Sequence, residues 1–350
     1  MCGIVAYIGR RQAAEILLEG LKRLEYRGYD SAGVALMNGG LKVARSVGRV
    51  ANVEKVIHDR GGFTGTLGIA HTRWATHGGV TEKNAHPHRD DAKLGHGIAI
   101  IHNGIIENYA AIKKYLQEKD HVFEGETDTE VLAHLIGELY QGDLEKAVQA
   151  ALREVTGAYA IAVICEKEAD VLVVARKGSP LMVGVGNGEY VVASDASAIV
   201  SHTTQAIALA DYTVARITRD GFRTTTVDNI EITAEIRELE FDLEQIELGH
   251  YDHFMLKEIF EQPSALRMTL KGRVDSAKGQ IILGGVGDHA RRLANAKRVV
   301  FVGQGTALHA CMIGKYLFED LAKVHAEHDF ASEFRYRNPI VEDGTVVIAV

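Results

Sequence analysis

A cysteine directly follows the initiator methionine and precedes a glycine in the opening segment MCGIVAYIGR. Once Met1 is removed, the Cys2 thiol and a free α-amine belong to the same residue, and an unperturbed α-amine has a pKa of about 7.7 to 8.0. This amine can take the thiol proton near neutral pH, so Cys2 can act as a nucleophile without a histidine base. Gly3 lacks a Cβ and lets the backbone approach a substrate closely. The structural alternative is a small apolar Cys2 that leads into a strand.

Three further stretches could supply the groups that a thiol nucleophile needs: GIAHTRWATHG at 68–78, HNGIIENY at 102–109 and ETDTEV at 126–131. Arg73 presents a planar fork that fits a carboxylate, and Asp128 carries the charge that pairs with an ammonium group. The structural alternatives are a surface ion pair for Arg73 and a helix N-terminal carboxylate for Asp128. Asn103 and Gly104 follow the apolar run GIAIIH, where the pair could simply form a turn.

Together with LKRLEYRGYDSAG at 21–33, these stretches resemble the glutamine amidotransferase family with an N-terminal cysteine nucleophile. The match runs in order through residues 2–240. It continues in HFMLKEIFEQP at 253–263 and ASEFRYRNP at 331–339, which resemble those members that aminate fructose 6-phosphate. The resemblance implies that Cys2 attacks the side-chain amide of L-glutamine. In the complete enzyme the ammonia would pass to fructose 6-phosphate to give glucosamine 6-phosphate, with no metal or organic cofactor.

The resemblance also implies a role for each site residue. The Asn103 side-chain amide and the Gly104 N–H would donate to the developing oxyanion. Arg73 and Asp128 would hold the carboxylate and the ammonium group of glutamine. Four more residues would contact or frame glutamine: Trp74, Thr76, His77 and His86. In the second domain, GQGTA at 303–307 would lie at a sugar-phosphate site, where Gln304 departs from the usual cysteine and leaves Thr306 as the phosphate contact.

The elements that must position these residues alternate between strands and helices. The apolar patterns predict strands at 2–8, 31–37 and 67–71, and helices at 13–24, 128–140 and 144–155. Thr127 is the predicted N-cap of the helix at 128–140. Short apolar strands then follow, and their buried character predicts two sheets stacked between helical layers. With the resemblance, this is an α+β four-layer αββα sandwich of the N-terminal nucleophile hydrolase type.

Three regions are expected along the chain. Residues 2–240 form the glutaminase domain, and residues 241–285 form a linker and a leading helix with a break at Pro263. Residues 286–350 begin a doubly wound sugar isomerase (SIS) domain, with strand RVVFV, loop GQGT, a helix at 307–322 and strand TVVIAV. Because this last strand is reached at Val350, we expect the second domain to be incomplete in the 350-residue sequence.

Composition limits the partners and the cellular compartment that we expect for the protein. The 47 acidic and 39 basic residues give a net charge of −8, and without a basic block no nucleic-acid partner is predicted. Three widely spaced cysteines support neither a disulfide framework nor a zinc ribbon, which fits a reducing cytoplasm. No apolar run approaches the roughly 20 residues that a membrane helix needs. We expect small-molecule substrates, no membrane and a homodimer at full length.

Six histidines between residues 71 and 102 raise the possibility of a metal site. Metal ligand sets usually recruit Cys, Asp or Glu at a recognisable spacing, which this stretch lacks. We therefore predict no metal and interpret most of these histidines as loop packing or as walls of the glutamine site. Two other functions stay open. One is the same amidase domain with another acceptor, as in the purine-pathway amidotransferase or asparagine synthetase, and the other is a non-catalytic sugar-phosphate-binding regulator.

Overall fold

The computed structural model describes residues 2–75, 77–90, 94–239, 249, 251–275, 278–287 and 289–350. The chain divides into two compact units, Met1–Gly249 and His250–Val350. Each unit contains its own cluster of buried apolar side chains. The narrower bounds of 2–240, 241–285 and 286–350 stay predictions.

The first unit contains most of the regular structure. Its described strands are β1 (Gly3–Ile8), β2 (Ser31–Met37), β3 (Leu41–Val47), β4 (Leu67–Arg73), β5 (His88–Arg89), β6 (Ile98–Ile106), β7 (Gly157–Cys165), β8 (Glu168–Lys177), β9 (Met182–Val185), β10 (Tyr190–Ala193), β11 (Gln205–Ala208), β12 (Thr213–Ile217), β13 (Phe222–Thr226), β14 (Glu231–Ile232) and β15 (Arg237–Glu238). Its described α-helices are α1 (Ala13–Leu24), α2 (Val50–Asp59), α3 (Tyr109–Glu118), α4 (Asp128–Leu139) and α5 (Leu144–Arg153).

Two antiparallel sheets stack at the centre of this unit. Their described strands run in the orders β15-β11-β9-β10-β1-β4-β2-β3 and β14-β13-β12-β8-β7-β6-β5. Apolar side chains from the facing sides, such as Ile69 and Ile101, form one shared core. Helices α1 and α2 pack on the outer face of the first sheet, and α3, α4 and α5 pack on that of the second. The predicted αββα sandwich is therefore confirmed.

The run of short strands after residue 157 is divided between the two sheets. Strands β7 and β8 belong to the second sheet, whereas β9 and β10 belong to the first. The chain changes sheets near Gly178, whose φ of +81° favours glycine. Since these strands are buried on both faces, they lack the apolar–polar alternation that would have assigned each one to a sheet.

Strand β1 holds the N-terminal end of the chain in the middle of the first sheet. It pairs with β10 on one side and with β4 on the other, and all six of its residues are buried. A Cβ at Gly3 would lie 2.7 Å from Thr72 Oγ1 and 2.8 Å from Leu24 Cβ. Gly3 is therefore required by packing against β4 and α1. The sequence had suggested only that Gly3 lets a substrate approach the backbone.

Asp90, which directly follows β5, carries a buried carboxylate. Its Oδ1 accepts a hydrogen bond from the Ile98 N–H at 2.9 Å, and the residue is 7% exposed. Its Oδ2 has no hydrogen-bond partner among the described residues. Burial raises the pKa of Asp90 to about 6, although the bond from Ile98 opposes the shift. Below about pH 6 the folded protein therefore keeps Asp90 mostly protonated.

This carboxyl group should make stability depend on pH. An unfolded aspartate titrates near pH 4, so the folded state binds an extra proton between pH ~4 and pH ~6. The free energy of unfolding should consequently fall as pH rises through this window, by up to about 3 kcal/mol, and stay lower above it. Asp90→Asn should remove this slope in melting temperatures measured from pH 4 to 7.5. Asp170→Asn, at an exposed carboxylate, is the matched control, and equal slopes in the two variants would contradict the assignment.

The second unit begins with a long helix and ends with a parallel sheet. Its described helices are α6 (Phe254–Leu270), α7 (Gly284–Gly287), α8 (Ala290–Ala294), α9 (Thr306–Leu317, continued by a π-helical turn at Phe318–Ala322) and α10 (Ala331–Tyr336). Its described strands are β16 (Val274–Asp275), β17 (Gln280–Ile281), β18 (Arg298–Gly303), β19 (His325–Phe330) and β20 (Thr345–Ala349). The last three strands are parallel in the order β19-β18-β20, as the sequence predicted for the start of a doubly wound sheet.

Helix α6 continues through Pro263, so the break expected at this residue is wrong. A proline removes one helical hydrogen bond, to the carbonyl four residues earlier, while its fixed φ suits a helix. Ile259, which carries that carbonyl, is half exposed, and water can bind the freed group. The cost to the helix is therefore smaller than in a buried helix.

Candidate active site

Cys2 lies at the end of the central strand β1, against the backbone of Trp74. The Trp74 N–H donates to Cys2 Sγ at 3.2 Å, and the thiol donates to the Trp74 carbonyl at 3.5 Å. Burial raises the pKa of the thiol, although the backbone bond from Trp74 and the charge of Arg73 oppose the shift. The thiol is thus held protonated near neutral pH, and its use as a nucleophile requires a base.

Asn103 reaches Cys2 from the opposite sheet. Its Nδ2 donates to the Cys2 carbonyl at 3.2 Å, and its Oδ1 lies 2.9 Å from His71 Nε2. Strand β6 continues through Asn103 and Gly104, which pair with Ala160 and Tyr159 of β7. The turn alternative for these two residues is therefore wrong, because both are paired with β7 in the strand ladder.

Gly104 occupies a position in β6 that accepts no larger residue. Its φ is +143°, and a Cβ built there would lie 2.0 Å from the Ala158 carbonyl oxygen and 2.8 Å from His102 Nε2. The clash is with backbone of the neighbouring strand, so a rotamer change cannot relieve it. Only glycine therefore fits at this position, next to Asn103.

Gly104→Ala should destabilise the first unit strongly, by about 3 kcal/mol or more, because backbone strain and overlap add. Gly61→Ala is the matched control: its φ is +82°, but no atom lies within 4 Å of the added Cβ. The control should cost about 1 to 2 kcal/mol, from backbone conformation alone. Urea unfolding of both variants measures the difference. Equal losses would show that the overlap with Ala158 relaxes freely.

Arg73 is buried at the end of β4, with 4% of its surface exposed. Its guanidinium donates to the carbonyls of His77, Gly78 and Gly79, the last two at 3.3 Å. Among the described residues these bonds take up three of the five N–H groups. Burial lowers the pKa of Arg73, while the charges of Cys2 and Asp128 oppose the shift. The surface ion pair proposed as an alternative is therefore excluded by burial.

Asp128 is the first residue of α4 and connects this helix to β6. Its Oδ2 accepts from the Ile106 N–H at 2.8 Å, and Thr127 Oγ1 caps the helix by accepting from the Glu130 N–H at 3.2 Å. The predicted cap is thus confirmed. The carboxylate is buried and within electrostatic range of Arg73. It serves as a helix N-terminal carboxylate and also places a negative charge at the site.

The remaining predicted site residues of the first unit have different surroundings. Trp74 is 47% exposed, and its ring forms a T-shaped contact with Tyr29, with ring centroids 6.1 Å apart. The His77 ring meets Tyr109 at 5.6 Å, and its backbone carbonyl accepts from Arg73. Thr76 lies outside the described residues. Trp74 and His77 both follow Arg73 in the sequence, and the backbone of Trp74 contacts Cys2 while that of His77 contacts Arg73.

His86 lies in a buried layer of histidines behind Asn103. Its ring stacks on His71 at 4.2 Å and meets His88 at 5.0 Å. Burial lowers the pKa of His71 and of His88 to about 3, and that of His86 well below its ordinary value. These rings are neutral and tightly packed. Among the residues that the structure describes, no group of three or more His, Cys, Asp or Glu could hold a metal ion.

The sequence analysis did not identify Asn84 as a residue of this site. Asn84 is 0% exposed, and its Nδ2 donates to the Gly79 carbonyl at 3.0 Å and to Glu126 Oε2 at 3.1 Å. Its Oδ1 accepts from the Glu126 N–H at 2.9 Å. Asn84 therefore connects the 77–79 segment, which contacts Arg73, to the segment before Asp128. Its burial would have identified it, but the sequence does not show burial, because asparagine in a loop sequence ordinarily indicates an exposed turn.

In the second unit, Thr306 begins α9 at the carboxyl end of β18. Gly305 before it has a φ of +60°, which favours glycine in the tight turn between strand and helix. Thr306 and Gln304 are both exposed, and Gln304 Oε1 accepts from Ser332 Oγ at 3.5 Å. In open α/β sheets, the carboxyl edge of the strands is where ligands bind.

Within the described part of the chain, no helix combines the length and the apolar character that a membrane crossing requires.

Two family models match the sequence. A model described as a glutamine amidotransferase domain matches residues 52–251, and one described as an SIS domain matches residues 292–350. Among curated relatives, glutamine–fructose-6-phosphate aminotransferase (isomerizing) of Chlorobaculum tepidum is 51% identical over 100% of this chain and 58% of its own length. The enzyme of the same name from Bacteroides thetaiotaomicron is 48% identical over 100% of this chain and 57% of its own length. This chain thus spans a little over half the length of these relatives.

Two solved structures share the fold. The allosteric regulatory enzyme of purine biosynthesis superposes with a TM-score of 0.58 at 28% identity, over 65% of this chain and 49% of that chain. The glutamine phosphoribosylpyrophosphate amidotransferase of B. subtilis gives a TM-score of 0.57 at 22% identity, over 94% and 65% of the two chains. The second likeness shows the fold alone.

Proposed function

Because the chain belongs to the glutamine amidotransferase domain family, we propose that its first unit hydrolyses L-glutamine to glutamate and ammonia. The observation that carries the proposal is the approach of Asn103 Nδ2 to the Cys2 residue from the opposite sheet, at 3.2 Å from its carbonyl oxygen. A side-chain amide donor next to a residue with a nucleophilic thiol can stabilise the oxyanion that forms when the thiol attacks a carboxamide.

The proposed reaction begins with proton transfer from the Cys2 thiol to the α-amine that removal of Met1 exposes. The thiolate then attacks the side-chain amide carbon of glutamine, and the carbonyl oxygen becomes an oxyanion. Asn103 Nδ2 and the Gly104 N–H donate to this oxyanion. The C–N bond breaks, the nitrogen takes a proton from the α-ammonium group, and ammonia leaves. Water then hydrolyses the thioester to glutamate and returns the thiol, so one water is consumed for each glutamine.

The amino-acid end of glutamine is proposed to lie between two opposite charges. Arg73 would bind the α-carboxylate through the N–H groups that its own loop leaves unused, and Asp128 would bind the α-ammonium group. Trp74, Thr76 and His77 would contact the substrate. His86, which is buried behind His71, would frame the site from beneath. Both side chains are buried, and the charge of Asp128 acts on the Arg73 guanidinium, which supports this assignment.

For the longer protein, we propose that the ammonia condenses with the carbonyl group of fructose 6-phosphate with loss of water, and that the protein isomerises the product to glucosamine 6-phosphate. This is a step of amino-sugar biosynthesis in the cytoplasm. The names of relatives at 48% and 51% identity and the SIS match at residues 292–350 support this acceptor. Thr306, at the carboxyl edge of β18, would contact the sugar phosphate, and the full-length protein would form a homodimer. The SIS match also argues against a purine-pathway acceptor, although the amidotransferase fold is shared.

Release of glutamate and ammonia from L-glutamine by the purified, Met1-free chain tests the hydrolysis. We expect equimolar products without any acceptor. Binding of fructose 6-phosphate without glutamine hydrolysis would instead support a non-catalytic regulator. For the acceptor, the full-length protein is incubated with amide-¹⁵N glutamine and fructose 6-phosphate. The ¹⁵N label should appear in glucosamine 6-phosphate. If the label instead enters a product only when phosphoribosyl pyrophosphate replaces fructose 6-phosphate, the proposed acceptor is wrong.

A further inference from the structure

His71 lies directly behind the oxyanion donor, and the proposed reaction does not use it. It belongs to β4 of the first sheet, next to β1, whereas Asn103 belongs to β6 of the second sheet. The contact between His71 Nε2 and Asn103 Oδ1, at 2.9 Å, therefore crosses the interface between the two sheets. It connects the strand next to the nucleophile with the strand that carries the amide.

The hydrogen bonds around Asn103 determine where the protons lie. The Cys2 carbonyl can only accept, so the amide group 3.2 Å away must be the NH₂ end of Asn103. The other end, Oδ1, then faces His71 and must accept. His71 Nε2 consequently carries a proton, and Nδ1 holds the lone pair of the neutral ring. This Nδ1 is buried and has no hydrogen-bond partner among the described residues.

We infer that His71 is a positioning residue for the oxyanion site: its Nε2–H holds the Asn103 amide with the NH₂ end toward Cys2. Without this donor, rotation of the amide by 180° would direct its oxygen at the oxyanion and repel it. The stacking of His86 on the His71 ring, at 4.2 Å and an interplanar angle of 24°, fixes the direction of the Nε2–H. The inference rests on the proposed glutaminase function.

The ring is suited to this role because it keeps a single protonation state. Burial lowers the pKa of His71 to about 3, although the bond to Asn103 opposes the shift. Between pH 5 and 9 the ring therefore stays neutral, with one N–H to donate. A histidine that gained a second proton would place a positive charge in the buried layer shared with His86 and His88.

The test uses His71→Leu, which fills the buried space without a donor, and His71→Gln, whose amide N–H can reach Asn103 Oδ1. Two ligands distinguish the oxyanion site from substrate binding. Glutamate γ-semialdehyde adds to the Cys2 thiol, so that its former carbonyl oxygen occupies the oxyanion site, whereas glutamate occupies the amino-acid site without adding. His134→Leu, at a buried histidine of α4 that stacks on Phe123, is the matched control.

We expect His71→Leu to lower kcat by about 10- to 100-fold and to weaken aldehyde binding by a similar factor. KM for glutamine and the affinity for glutamate should change by less than about twofold, and His71→Gln should restore most of kcat. The control should retain kcat. Equal weakening of aldehyde and glutamate binding, or an unchanged kcat in His71→Leu, would overturn the inference.

A shorter amide side chain at position 71 provides a second variant without the donor. If His71→Leu fails to fold, His71→Asn replaces it, because asparagine is one methylene shorter than glutamine and cannot reach Asn103 Oδ1. His71→Asn should then lower kcat and aldehyde binding as expected for His71→Leu. Equal kcat in His71→Asn and His71→Gln would overturn the inference. If the wild-type chain neither hydrolyses glutamine nor binds the aldehyde, the proposed function itself fails.

Discussion

Cys2→Ala should abolish glutamine hydrolysis, lowering kcat by on the order of 10⁴-fold or more, since no thioester can form without the thiol. The melting temperature should change little. The described bonds of Cys2 Sγ go only to the Trp74 backbone, and the residue stands at the end of β1. Glutamate release and thermal unfolding of the variant measure the two effects separately.

Blocking the α-amine should cause a comparable loss while leaving the thiol in place. Retained Met1 or acetylation converts the amine into an amide, which cannot accept the thiol proton. Burial raises the thiol pKa, so little thiolate exists near neutral pH without a base. Cys311→Ala, at a buried thiol of the second unit, is the control for loss of a thiol in Cys2→Ala, and this variant should hydrolyse glutamine normally. A Met1-retaining protein with the full rate would exclude the amine as the base.

Asn103→Ala and Asp128→Asn should separate catalysis from substrate binding. Asn103→Ala removes a donor that is needed most in the transition state, so kcat should fall by about 100- to 1000-fold with little change in KM. Asp128→Asn keeps an oxygen to accept from the Ile106 N–H but removes the charge that faces the substrate ammonium. KM for glutamine should therefore rise by about 10-fold or more, with a smaller effect on kcat.

Steady-state kinetics of both variants, together with direct measurement of glutamate binding, check this contrast. Asp195→Asn is the matched control for loss of a charge, because this carboxylate pairs with Arg27 at 2.9 Å and has no assigned role in catalysis. If Asn103→Ala raised only KM, the oxyanion role of Asn103 would be wrong. If Asp128→Asn left KM unchanged, the ammonium group of glutamine would have to bind elsewhere.

Local patterns in the sequence were sufficient to predict many of the elements. The bounds of α1 and β2 agree with the structure, and the Thr127 cap of α4 is confirmed. These features depend on periodicity and on contacts between residues a few positions apart, which a single sequence displays. The family was also determined by sequence, because Cys2 and the stretches around Arg73, Asn103 and Asp128 occur together and in order.

Only the tertiary structure decided which distant segments meet. Asn103 and Gly104 carry a turn signal, but a ladder to β7, more than fifty residues later, holds them in a strand. His71 and Asn84 are ordinary polar residues in sequence, and their roles follow from burial and from partners in other strands or loops. Backbone pairing and burial depend on residues far apart in the chain, so no local pattern of charge or hydrophobicity could have identified these contacts.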